Sequence, residues 1–165
     1  MTSRLQSLMI ANGALVLLVG MLSGLVFLFH LLGEVSLWPI PAALHLQIPG
    51  DERGWRAAHV GNIANGTMLV AMGAVLHRLN LSPTASKWVA WGLVYTAWGN
   101  CVFYLFSAAL TTGRGLSFGA NRFGGGDVSN SIAFLAAYVA VFTVIVALVL
   151  IARAAFAAAR SSRVD

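Results

Sequence analysis

The chain has 165 residues, enough for one domain, and only 9% of them are charged while 59% are apolar. A soluble domain carries roughly 25% charged residues, so so few charges cannot coat a water-facing surface of this size, and the expected solvent is lipid. The net charge of +5 comes from Lys and Arg placed mainly at the ends of apolar segments, a pattern of membrane topology in which no nucleic-acid partner is expected.

The first apolar segment runs from about Leu8 to Leu32, with His30 as its one acidic or basic side chain. It is longer than the roughly 7–15 residues of a signal-peptide apolar core and no clear cleavage site follows it, so it is expected to stay as a span. The link from Gly33 to Gly54 contains Pro39, Pro41, Pro49 and His45. It is expected to be an ordered non-helical or partly re-entrant segment over one end of the helices. The second segment runs from about Trp55 to Leu79 and the third from about Trp88 to Leu110. Ser82-Pro83-Thr84 marks a short turn between them, which makes the two antiparallel neighbours. A long glycine-rich link, Thr111 to Ser131, leads to the fourth segment, about Ile132 to Phe156, rich in Ala, Val, Leu and Ile.

Each segment is close to the roughly 20 residues that a helix needs to cross hydrocarbon, and lipid cannot satisfy free backbone amides, so each must be helical. The expected fold is all-α: one transmembrane domain over residues 1–165, a four-helix bundle with two long loops. The single Cys101 lies inside an apolar run, allows no intrachain disulfide, and suits packing better than nucleophilic chemistry. With four spans, both termini and the short turn share one side. That side holds Arg4, Arg78, Lys87, Arg153, Arg160 and Arg163 against Asp165 alone; the other holds Arg53, Arg56, Arg114 and Arg122. The bias places both termini in the cytoplasm and both long loops outside it.

Polar groups inside spans are costly and mark function. Helix two opens with Gly54-Trp55-Arg56-Ala57-Ala58-His59, followed by Asn62, Asn65 and Gly66. At about 100° per residue, His59, Asn62, Gly66 and Gly73 share one face, where small residues admit a flat group or a neighbouring backbone. A neutral imidazole in that setting suits a haem iron; it equally suits a hydrogen bond between helices. Asn65 lies about 9 Å further along the helix and roughly 120° around it, so the two side chains do not converge within one straight helix. An oligomer with a cofactor between subunits would bring both to it.

Helix three carries a stripe of Thr96, Asn100, Phe103, Tyr104 and Ser107. It reads either as interhelical glue, especially at Asn100 and Ser107, or as a pocket wall with Tyr104 as donor. In the second long loop, Arg114 and Arg122 can pair with carboxylates such as haem propionates or simply lie at the membrane surface. No strand precedes its glycines, so a phosphate-cradling loop is a weak match. Asp127 has the position of an N-cap for helix four. His77 lies beside Arg78 and is expected to be solvated. His30, expected at a depth similar to His59, leaves open a bis-histidine electron-transfer cytochrome, and a cofactor-free scaffold also remains open.

The ordered string Pro49-Gly50, Gly54-Trp55, Ala58-His59, Asn65-Gly66, Trp98, Asn100, Phe103-Tyr104, Arg114 through Gly119, Asn121 and Gly124-x-Gly126-Asp127 resembles the styrene oxide isomerase family of bacterial membrane enzymes. The match runs from about Pro49 to Asp127; helices one and four agree mainly in hydrophobicity. The resemblance implies a homotrimer in the inner membrane with haem b at subunit interfaces. It implies His59 as the proximal iron ligand, Asn65 and Tyr104 as the pair that holds the oxygen of an aryl epoxide, and ferric iron as the Lewis acid that opens it toward an aldehyde. Thr96 departs from the pattern, because a member of that family has Asp there, so a carboxylate expected to support the pocket is missing.

Overall fold

The computed structural model describes residues 1–109 and 113–161. The expected helix end at Leu110, the loop start at Thr111, and the terminal Arg163 and Asp165 lie outside the described residues. Four long helices dominate: α1 (Ser3–Leu32), α2 (Glu52–Val75), α3 (Pro83–Ala109) and α4 (Val128–Ser161). All four are long and apolar enough to cross a membrane. They overrun the apolar segments at several ends, because helices continue into polar flanks until a cap stops them. Thr2 caps α1 by accepting from Leu5 N at 3.4 Å, and Gly33 ends it in a left-handed conformation with its N–H on the Phe29 carbonyl. Asp51 caps α2 by accepting from Gly54 N. The start of α3 uses Ser82, whose Oγ accepts from Ala85 N at 3.2 Å, with Pro83 in the first turn. Asp127 caps α4 as expected, accepting from Asn130 N at 2.6 Å.

The helices do not form a closed ring of four. Helices α1, α2 and α3 pack on one another, while α4 packs mainly against α3. The shared core of Met9, Val16, Leu69, Leu76, Val89 and Leu93 draws on the first three helices. Most of α4 stays exposed, as at Leu135, Val141, Ile145 and Val149. Its 34 residues span roughly 51 Å at 1.5 Å per residue, so its basic end extends past a hydrocarbon core of about 30 Å. The α1–α2 contact is backbone-close: a Cβ on Gly66 would lie 2.7 Å from Leu17 N, and one on Gly13 would lie 2.9 Å from the Gly66 carbonyl.

The first long link is not purely irregular. Two short strands, β1 (Glu34–Val35) and β2 (Leu44–His45), pair antiparallel, with Glu34 opposite His45. The prolines fall between and after the strands, where no ladder N–H is needed. A single 3-10 turn, Leu76–Arg78, ends the second span.

Candidate active site

His59 sits half-buried on the edge of α2 that faces α1. Its Nδ1 lies 2.8 Å from the Gly20 carbonyl. A carbonyl only accepts, so Nδ1 carries the proton, and in the neutral ring Nε2 holds the lone pair. Among the described residues Nε2 has no partner. A backbone carbonyl on one ring nitrogen that frees the other is the arrangement by which proteins orient a metal-binding histidine.

Asn65 sits on the opposite edge of α2, facing α3. Its Nδ2 donates to the Gly61 carbonyl at 2.7 Å, and its Oδ1 accepts from Asn100 Nδ2 at 2.9 Å. Tyr104 reaches the same place from α3: its ring lies directly against Gly61, and a Cβ there would fall 2.9 Å from the Tyr104 hydroxyl oxygen. Gly61 thus joins the two groups, one through its carbonyl and the other through its missing side chain. The Tyr104 hydroxyl makes no hydrogen bond among the described residues and is the free donor at this edge. Phe103 stands beside it, with ring centroids 5.3 Å apart.

Between these edges runs the exposed side of α2, with Ala57, Val60, Ala64, Thr67 and Ala71. One chain therefore presents an imidazole on one flank of that face and an amide–phenol pair on the other. The two do not meet within the chain, in keeping with their angular separation in the sequence.

The loop after α3 folds over Phe103, since a Cβ on Gly115 would lie 3.0 Å from that ring. Two asparagines fix its shape. Asn130 Oδ1 accepts from Gly115 N at 2.8 Å, and its Nδ2 donates to the Ser117 carbonyl; Asn121 Nδ2 donates to the Gly113 carbonyl at 3.0 Å. Arg114 has φ 61, in the left-handed region. Its guanidinium lies 3.9 Å from the Phe123 ring centroid and that of Arg122 lies 4.6 Å from it, so one aromatic ring gathers both cations. Neither makes an ion pair among the described residues.

Three expectations change. His30 donates from Nδ1 to the Ile48 carbonyl at 2.9 Å, in the first link. It stands six residues beyond Gly24, the α1 residue that adjoins the His59 ring, roughly 9 Å along the axis, so the two histidines are not level. The polar stripe of α3 is not one wall: Thr96 turns to α4, bonding the Gly92 carbonyl at 2.8 Å and Thr143 Oγ1 at 3.0 Å, while Asn100 turns to α2. Ser107 bonds back to the Tyr104 carbonyl at 3.3 Å and joins no helices.

The sequence profile of the family described as styrene oxide isomerase matches residues 5–156. The chain belongs to the styrene oxide isomerase family. It is similar to a styrene-oxide isomerase of Pseudomonas fluorescens, 33% identical over 130 residues, which covers 79% of this chain and 76% of that protein. The match to the profile takes in helices α1 and α4 as well as the middle of the chain.

The structure gives roles to three glycines that residue chemistry left unmarked: Gly20 supplies the carbonyl that orients His59, Gly24 lies opposite the ring, and Gly61 seats Tyr104, while Asn100, marked in the sequence as interhelical glue, holds Asn65. The available signal for the first two was glycine recurring in helix one at positions 13, 20 and 24, which marks a close helix contact but not its partner.

Proposed function

We propose that this membrane isomerase rearranges aryl epoxides such as styrene oxide to aldehydes such as phenylacetaldehyde, with haem b as its resident cofactor. The reading rests on His59, whose ring is held by one nitrogen while the other stays free at the edge of an exposed, small-residue helix face. The donor set fits that group. It is a single oriented imidazole, and no three metal-binding side chains cluster among the described residues to cage a bare ion. Arg114 and Arg122, gathered on Phe123 at the loop end, would pair with the propionates. When bound, ferric haem supplies Lewis-acid polarisation of an epoxide oxygen.

The chain's own residues do the rest. Tyr104 donates its unpaired hydroxyl to the epoxide oxygen, and Asn65, held in place by Gly61 and Asn100, adds an amide N–H. Donation to that oxygen favours opening at the benzylic carbon, where the aryl ring stabilises the cation. A hydride from the neighbouring carbon then gives the carbonyl, with no external base and no net oxidation. Phe103 and the folded loop help keep water from trapping the cation as a diol. Because His59 and the Asn65–Tyr104 pair flank one exposed face, a cyclic homotrimer would complete each site from two neighbouring chains through a repeated head-to-tail contact. The proposed setting is the bacterial inner membrane, with both termini cytoplasmic.

The test is direct. Purified protein should show a haem spectrum and convert styrene oxide to phenylacetaldehyde. His59→Ala should lose both while keeping its helical content. Full haem and full turnover in that variant would overturn the assignment.

A further inference from the structure

The end of the protein that carries the start of α1 and the α2–α3 turn holds a cavity of about 550 Å³, remote from His59 and Tyr104. Two cations, Arg4 and Lys87, line it together with Leu5, Leu8 and Trp91. Among the described residues neither cation has a carboxylate partner; the ion pairs present are His45–Glu34, Arg53–Asp51 and Arg56–Glu52, all at the opposite end. Ser86 lines the same cavity. It is 3% exposed, and among the described residues its hydroxyl has no hydrogen-bond partner. Helix α3 begins here at Pro83, so the positive end of a 27-residue helix adds to the field. Two unpaired cations, a buried orphan hydroxyl and a helix N-terminus all favour an anion.

The cavity does not end in polar walls. Trp91 also borders a space lined by Thr84, Lys87 and Trp88. Together with Trp88 it opens an apolar groove of about 320 Å³, which continues past Tyr95 and Phe142 along the α3–α4 seam. An anion site that shares Trp91 with a neighbouring aromatic groove matches an amphiphile with a phosphate head and an acyl tail. Two adjacent cations would repel the ammonium of a zwitterionic choline head and leave an anionic head favoured. We infer that this protein binds an anionic glycerophospholipid here, the phosphate between Arg4, Lys87 and Ser86 and one acyl chain along the Trp91–Tyr95–Phe142 groove.

Native mass spectrometry of the full-length protein in mild detergent tests this, with phosphatidylglycerol and phosphatidylcholine of matched chains and with inorganic phosphate. Phosphatidylglycerol should bind once per chain with at least a fivefold preference over phosphatidylcholine, and millimolar phosphate should not displace it. Equal binding of the two lipids to the unaltered protein overturns the inference, and so does displacement by free phosphate, which would make the site one for a soluble anion. The Arg4→Gln, Lys87→Gln double variant should lose the preference while binding phosphatidylcholine as before; a retained preference overturns the headgroup assignment. Trp91→Ala leaves both charges in place and should weaken binding of both lipids severalfold; unchanged binding overturns the groove assignment.

Discussion

Gly24 and the imidazole of His59 occupy adjoining space across the α1–α2 contact: a Cβ on residue 24 would lie 2.5 Å from Nδ1 and 2.6 Å from Cε1. The ring reaches the Gly20 carbonyl only because the next turn of α1 carries no side chain. A carbonyl acceptor and a vacancy one turn apart on the same helix therefore fix the ring's tautomer and its plane together.

Gly24→Val should break this arrangement without replacing any proposed ligand. The ring must swing away, and its hydrogen bond to Gly20 is lost. A carbonyl that orients a metal-binding imidazole is worth about 10- to 100-fold in metal affinity, so haem per protein should fall by that order at limiting haem. Far-ultraviolet circular dichroism should remain that of the unaltered protein. Haem loading equal to the unaltered protein would show that the ring does not need this space.

What the sequence reveals depends on which physical rule governs each feature. The four spans are legible because lipid leaves a backbone no alternative to the helix, and the opposition of His59 and Asn65 follows from the helical period alone. Asp127 is legible as a cap because capping is local. Helix neighbours are not: hydropathy assigns each span to the membrane but says nothing of its partner, so the exterior place of α4 is invisible in its composition. For the same reason Thr96 and Asn100, one turn apart on α3, look like one stripe but serve different helices. Their geometry follows from the α2–α3–α4 packing, in which a difference of roughly 40° in direction separates two partners. The β1–β2 pair is too short, at two residues each, to leave an alternating pattern. The depth of His30 depends on where α1 meets α2, which the close approaches at Gly13, Gly20 and Gly24 set.

Gly61→Ala should act on Tyr104 alone. The added methyl would overlap the tyrosine ring and push the hydroxyl off its position, whereas His59 faces the other edge of α2. Removing a preorganised donor to a developing oxyanion costs about 10²- to 10³-fold in kcat. Gly61→Ala and Tyr104→Phe should therefore both slow styrene oxide turnover to that extent with haem content unchanged. The double variant should be little worse than either alone. Additive losses in the double variant would mean that the glycine acts by another route.

Asn100→Leu separates glue from chemistry. Interhelical hydrogen bonds in membranes average about 0.6 kcal/mol, so thermal stability should fall only slightly when the 2.9 Å bond to Asn65 is removed. Turnover should fall further than stability does, because Asn65 then loses the contact that orients its amide. A variant with unchanged turnover and lowered stability would leave Asn100 a purely structural bond.

Asn62→Leu tests a cost carried inside the α1–α2–α3 junction. Asn62 is 0% exposed, and among the described residues neither its Nδ2 nor its Oδ1 has a hydrogen-bond partner. It lies one turn beyond His59 on the buried side of α2 and is neither a proposed ligand nor a proposed donor. A buried polar group without a partner costs about 1–3 kcal/mol, and an apolar side chain of similar shape removes that cost. Asn62→Leu should therefore unfold at a temperature equal to or higher than the unaltered protein, while Asn62→Ala, which also opens a cavity, should unfold lower. Circular dichroism melts in detergent at matched lipid content measure both. A clear loss of stability in Asn62→Leu would overturn the reading of the amide as an uncompensated buried group.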